Sequence, residues 1–260
     1  MKITKYFTLI FLAWLMSCSK LDIKPDLSRV VPSTLEDFQG ILDNTLTVFN
    51  ISFNNYGEIA ANDFYVTDDD FQANYTPATS NIYLWETSEL DDPYIFDWNT
   101  SYSRILHCNI VLDGLDKNNI DDEDMNFQNV KGQALFHRAH SFYMLAEEFA
   151  PAYDSQNLKK LAIPLRTTSD INLSYPLSSV EDTYQLIIDD VKEAANLLPR
   201  AQLFQTRPSK TAAFALLARI YLVMGDYENA LIYADLSLEI QSDLLDYNQL
   251  DINADCHLHN

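Results

Sequence analysis

The stretch that decides the fold is PSKTAAFALLARIYLVMGDYENALIYADLSL, residues 208–238. Pro208-Ser209-Lys210 carries the chemistry of a helix start, a proline beside a hydroxyl that accepts from the open amides of a first turn. Ala212, Leu216, Leu217, Ile220, Tyr221 and Val223 then recur at helical spacing, and Gly225-Asp226 makes a tight turn into a second helix with Ala230, Tyr233, Ala234 and Leu238. Small residues let the two helices approach and rings fill the gaps, so the stretch reads as a helical hairpin. Working outward, Ser179 to Asp182 predicts a capped start for a helix over 181–198, with Tyr184, Ile187, Ile188, Val191, Ala194, Ala195 and Leu198 on one face and Pro199 as its stop. Val130, Ala134, Leu135, Ala139, Phe142, Tyr143, Leu145 and Ala146 predict a longer helix over 124–150, closed by Pro151. From Asp97, the series Trp98, Tyr102, Ile105, Leu106, Asn109, Val111, Leu112 and Leu115 predicts another, stopping at 116–119.

The hairpin of 208–238 is of the tetratricopeptide kind: Leu217-Ala218 followed by Tyr221 resembles the small and aromatic positions of that motif's first helix, and Tyr227 with Ala230 the opening of its second. The helix of 181–198 is expected to pair with that of 124–150 across a long inserted loop, giving a short stack of two units. Ser33-Thr34-Leu35-Glu36, followed by Phe38, Ile41 and Leu42, predicts a short first helix over 34–46. Residues 47–95 show no sustained helical period, with Asn, Asp, Thr, Ser and Tyr interleaved. They read as a long irregular stretch, and such stretches inside compact domains are often functional. The fold class expected is mainly α.

The chain opens Met1-Lys2-Ile3-Thr4-Lys5, a basic segment, followed by an apolar run from Tyr6 to Met16 interrupted by Thr8. That is the layout of a signal peptide, and the run falls short of the about 20 apolar residues a membrane span needs. Leu15-Met16-Ser17-Cys18 resembles the lipobox of bacterial lipoproteins. The resemblance implies removal of residues 1–17 and diacylglycerol on Cys18, which with further acylation anchors the protein to a membrane without spanning it. Residues 18–33, polar and with two prolines, read as a lipidated tether; 34–250 as the helical domain; 251–260 as a disordered tail.

Asp and Glu number 38 against 17 Lys and Arg, a net charge of −21, which speaks against nucleic acid as a partner. Besides Cys18, only Cys108 and Cys256 occur, far apart and without metal-ligand spacing, so they read as free thiols. The chain has five glycines and no Gly-rich phosphate loop, G-x-S-x-G elbow or H-E-x-x-H, so nothing marks it as an enzyme and no cofactor is expected. His137 and His140 stand three apart on a predicted helix, but no carboxylate falls four residues beyond either, and a shared metal is not expected. Glu147-Glu148 are adjacent on a helix and diverge rather than acting as an acid pair. Fifteen Tyr, fourteen Phe and three Trp are more informative, because many lie in polar stretches where a core does not obviously need them.

Several stretches together resemble the SusD/RagB family of surface glycan-binding lipoproteins. They are Leu21-Asp22-Ile23-Lys24-Pro25, Val31-Pro32-Ser33-Thr34, Lys131 through Ala139 with Tyr143, Ile163-Pro164-Leu165-Arg166, and Pro208 through Tyr227. The resemblance runs from residue 15 to about 250. It implies a protein of the outer membrane, facing the exterior, that sits on a TonB-dependent transporter of the SusC type and passes oligosaccharide inward, with its tetratricopeptide helices as scaffold toward that transporter. Family members are much longer, and Asp255-Cys256-His257-Leu258-His259-Asn260 departs from the pattern. The chain therefore resembles the N-terminal half of the family, with part of the glycan site and some covering of apolar surface expected elsewhere.

For a ligand platform the residues are Tyr65, Phe71, Tyr75, Tyr83 and Trp85, with Asn74 and Asp70 to grip hydroxyls. Ring faces cover the apolar face of a pyranose, while amides and carboxylates hydrogen-bond its edge. Tyr83 and Trp85 also fit a core role, Trp85 the more readily, and Trp98 reads as packing. The run Asp68-Asp69-Asp70 lacks the alternating ligands of a calcium loop and reads as a solvated acidic turn. A tetratricopeptide adaptor for a protein partner and a surface glycoside hydrolase are the competing functions. An adaptor has no need of the aromatic stretch, and a hydrolase needs two carboxylates facing across a cleft.

Overall fold

A computed structural model describes residues 31–50, 55–86, 95–118, 123–244 and 246–249. The signal peptide, Cys18 and most of the tether, the tail of 251–260, Cys256, His257 and His259 lie outside the described residues. The described residues from Thr34 onward form one compact unit. Among the described residues there are nine α-helices and one two-stranded sheet, and none of the helices is long and apolar enough to cross a membrane.

Helix α1 (Leu35–Leu42) starts at a capping box in which the Asp37 amide donates to Thr34 Oγ1 and the Thr34 amide to Asp37 Oδ2. It stops four residues before the expected 46. The chain tightens instead into a π-turn, Thr45–Phe49, with Thr47 Oγ1 donating to Asn44 Oδ1 at 2.7 Å. That turn drives Val48 and Phe49 into the core, and Arg104 Nε fastens it by donating to the Val48 carbonyl at 2.8 Å.

Within the stretch of 47–95, the described residues carry three short helices between irregular segments: α2 (Asn55–Ala60), α3 (Asp68–Asn74) and α4 (Pro77–Tyr83). Each is too short to display an apolar period, and their signals are caps. Thr67 and Thr76 each accept from the amide three residues on, and Pro77 occupies a first-turn position where its missing N–H costs nothing. Asp68 to Asp70 are thus not a turn but the exposed first turn of α3, where negative charge complements the helix dipole.

The body is a run of long helices, α5 (Phe96–Lys117), α6 (Met125–Phe149), α7 (Val180–Leu197), α8 (Lys210–Val223) and α9 (Tyr227–Leu238). Consecutive ones pack together, including the expected pairs α6 with α7 and α8 with α9. Asp124, Ser179, Ser209 and Asp226 cap the last four, and Gly225 takes the left-handed turn (φ 75°) that joins α8 to α9. Their shared interior includes Ile105, Val111, Ala134, Phe142, Leu145, Ile187, Val191, Leu217 and Ile220. Two glycines mark close approaches. A Cβ on Gly132 would meet Leu198 Cγ at 3.0 Å, and the Phe38 ring fills the space where one on Gly114 would sit. The loop between α6 and α7 carries β1 (Leu161–Pro164) and β2 (Leu177–Ser179), an antiparallel pair in register Leu161 to Ser179.

One buried polar network ties the body to that loop. Arg138 grips Asp190 on α7 with two bonds of 2.7 and 2.8 Å and donates a third, of 3.0 Å, to Asn109 Oδ1 on α5. Asn109 Nδ2 in turn donates to the carbonyls of Arg166 and Thr168. A bidentate guanidinium–carboxylate pair with a further donor satisfied is the form in which a buried charge is tolerated.

Candidate functional site

Helices α2, α3 and α4 form a small lobe with an aromatic interior. Phe71, Tyr75 and Tyr83 have ring centroids 5.0 to 5.7 Å apart, and Phe64 joins them 6.2 Å from Tyr83. These separations suit tilted and edge-on ring pairs, so the three residues chosen from sequence as a flat platform pack mainly on one another. Tyr83 Oη accepts from the Val66 amide at 3.2 Å, which lays the 64–66 segment across the ring cluster. The two neighbours of Val66 fare differently: Phe64 turns to the cluster, whereas Tyr65 is 85% exposed.

Trp85 does not join the core. Its side chain is 72% exposed, and its backbone holds a left-handed conformation, φ 55°. A bulky side chain at positive φ is strained, and such strain concentrates at binding sites. The residue follows the end of α4, where its amide donates to the Ile82 carbonyl at 3.1 Å, so the strain belongs to a defined turn. Of the polar candidates, Asp70 Oδ2 accepts from Thr67 Oγ1 at 2.7 Å, and Asn74 Nδ2 donates to the Asp70 carbonyl at 3.2 Å. Both side chains lie on the exposed side of α3.

The lobe is moored to the body at Asp97, in the first turn of α5. Asp97 accepts from Asn55 Nδ2 at 2.6 Å and from the Tyr56 amide at 2.9 Å, and is itself buried. Glu148, at the end of α6, shares a hydrogen bond with Asp97. Burial first, then the adjacent Asp97, pushes its carboxyl up to about 8. Its neighbour Glu147 points elsewhere and accepts from Tyr184 Oη at 2.6 Å. The two glutamates diverge, and the partner of Glu148 lies 51 positions earlier in the chain, which periodicity gave no means of finding.

Trp98 packs against Tyr102 and Phe149, with centroids 4.9 and 5.2 Å away. His137 lies against Phe49, and burial holds its imidazole down to about 3; His140, stacked on Phe136, is held at about 4 for the same reason. Both are neutral rings in an apolar setting. Among the described residues no three His, Cys, Asp or Glu side chains converge as metal ligands.

Residues 20–222 match the family model described as SusD-like, "Starch-binding associating with outer membrane". The chain belongs to the SusD-like family. Its curated relative SusD-like protein P2 of Formosa agariphila is 29% identical over 133 residues, 51% of this chain and 25% of that protein. Among solved structures, a putative sugar binding protein from Bacteroides vulgatus superposes with a TM-score of 0.67 at 24% identity, covering 82% of this chain and 48% of that one. A SusD superfamily protein from Bacteroides thetaiotaomicron gives 0.66 at 22% identity, covering 83% and 49%. The SusD-like fold is thus shared across the described body, and the chain spans about half the length of these solved structures and a quarter of the curated relative.

Proposed function

We propose that this SusD-like chain is a surface lipoprotein of the outer membrane, lipid-anchored through Cys18. It captures oligosaccharide on the lobe of residues 55–86 and delivers it to a SusC-like TonB-dependent transporter. The observation that carries the reading is the pair of outward rings, Tyr65 and Trp85, on a lobe whose other aromatics are packed together. The indole is held out to solvent at a backbone cost with no ring contact among the described residues, and a ring face is the surface on which a pyranose stacks. Asp70 and Asn74 supply hydroxyl partners beside the rings. Family membership supports the ligand class, and the family resemblance supports the anchor and the transporter.

An adaptor reading has one observation in its favour, the apolar outward side of the α8–α9 hairpin, where Leu222, Leu231 and Leu238 are exposed. In the capture reading this same side is scaffold toward the transporter. Affinity electrophoresis of the purified protein through a panel of polysaccharides tests the proposal, with Tyr65→Ala and Trp85→Ala run alongside. Retardation by a glycan that either substitution weakens is the expected result. A folded protein retarded by none of them, or equally retarded after both substitutions, sinks the assignment to this lobe.

A further inference from the structure

The loop from Leu165 to Tyr175 lies over helix α5 and encloses with it a cavity of about 360 Å³, whose walls include Trp98, Asn99, Tyr102, Arg166, Ser174 and Tyr175. A neighbouring hollow of about 260 Å³ shares Asn99, Tyr102 and Arg166. The larger one alone reaches the roughly 300 to 1,000 Å³ of small-molecule sites. Its outer wall is built rather than draped. Asn109 holds the Arg166 and Thr168 carbonyls at 2.8 and 3.2 Å, Asp113 accepts from the amide and hydroxyl of Ser169 at 2.8 and 2.6 Å, and Tyr102 Oη donates to the Pro164 carbonyl at 2.8 Å. Thr168 Oγ1 and Tyr175 Oη meet at 2.9 Å. Asn109 is itself fixed by Arg138, so the buried network described above also sets the shape of this groove.

The charge of the groove runs against that of the chain. In a protein with 38 acidic and 17 basic residues, no acidic residue lines either hollow, and one guanidinium, Arg166, lines both. Arg166 forms no ion pair among the described residues. It donates to the Asp170 carbonyl at 3.3 Å and rests over the Tyr175 ring, its carbon 5.6 Å from the centroid, which leaves most of its five donors open. Nearby carboxylates are engaged elsewhere, Asp113 with Ser169 and Asp170 with Asn172.

We infer that this groove binds the carboxylate-bearing sugar of an acidic glycan, a uronate, with Arg166 clasping the carboxylate. Trp98 and Tyr175 offer ring surface to the pyranose, and Asn99 and Ser174 offer partners to its hydroxyls. The ligand class rests on the glycan-capture reading; the site is a second one, apart from the lobe.

The test follows the indole N–H signals of Trp98 and Trp85 by NMR, assigned from Trp98→Phe and Trp85→Phe spectra, while the purified protein is titrated with glucuronate oligomers and with matching glucose oligomers. The acidic oligomers are expected to shift Trp98 and to bind there about tenfold more tightly than the neutral ones, a margin that Arg166→Gln erases and Arg166→Lys partly keeps. The bonds that anchor the loop to α5 come from Asn109 and Asp113 and do not use the Arg166 side chain, whose own bond within the loop is the 3.3 Å one to the Asp170 carbonyl, so both variants are expected to keep the groove. Equal response of Trp98 to both oligomers, or acidic binding unchanged by Arg166→Gln, overturns the inference. Neutral oligomers that shift Trp85 while Trp98 stays silent to the acid overturn it too, and leave capture on the lobe standing. Silence of Trp85 with an acid-specific shift at Trp98 does the reverse, and silence of both signals to every oligomer removes both readings.

Discussion

The stability of this protein should pass through a maximum near pH 6.5, because two sets of buried groups pull in opposite directions. His137 and His140 are held at about 3 and about 4, below the roughly 6.5 of an unfolded chain. Between those values the native state binds fewer protons than the unfolded one, so stability rises with pH and is fully present above roughly 6.5. Glu148 behaves in the other sense. Its carboxyl is raised to about 8, against an ordinary value near 4.5, so the native state holds an extra proton across that interval, and stability falls as pH climbs through it. In the acid range the two histidines work against Glu148 and against Asp190, whose carboxyl burial also raises; above roughly 6.5 the histidines add no further slope and Glu148 carries the fall. At full slope the fall from pH 6.5 to 8 is about 2 kcal/mol, and partial exposure of Glu148 reduces it to about 1 kcal/mol. Guanidinium titrations at pH 5, 6.5 and 8 measure the curve, with Glu148→Gln as control, since the amide still donates toward Asp97 but does not titrate. The variant should keep the rise and lose the fall. A wild-type protein that continues to gain stability up to pH 8, or a Glu148→Gln protein that still declines, refutes the reasoning.

Asp190→Asn should lower stability by about 3 kcal/mol in thermal or denaturant melts, because it strips the anionic partner from a buried guanidinium. Gly114→Ala, which must displace the Phe38 ring, should cost about 2 kcal/mol, whereas Gly40→Ala, whose Cβ meets nothing within 4 Å in α1, should be neutral or gain under about 1 kcal/mol; equal outcomes would contradict the packing described. Trp85→Gly should relieve the positive-φ strain and raise stability by about 1 kcal/mol while abolishing glycan retardation, so a loss of both together would mean that the indole is structural after all.

Helices α5 to α9 were legible because each carries a long apolar face and a start or stop residue, as with Ser179 and Pro199 around α7. Their bounds fall within a residue or two of expectation. The lobe was not, since three helices of six or seven residues contain too few turns for a period to show, and their evidence lay in Thr67, Thr76 and Pro77. Within it, sequence placed rings in a cluster but gave no means of separating Phe71, Tyr75 and Tyr83, which pack together, from Tyr65 and Trp85, which face out. Two pieces of chemistry escaped because they join residues distant in the chain: Glu148 with Asp97, and Arg166 with Trp98 and Tyr102. Arg166 itself left no distinguishing trace, since it stands between the apolar run of 161–165 and the polar Thr167-Thr168-Ser169-Asp170.

The lobe of residues 55–86 carries its own small aromatic interior and meets the first turn of α5 through the Asp97 carboxylate. It is therefore a cassette. Its outward rings are free to drift, or the whole segment to be exchanged between relatives, provided an amide donor still reaches Asp97, while the helices beneath keep the same register and the same core. On the proposed capture reading, such a division of labour lets one scaffold meet a changing supply of ligands without being refolded for each.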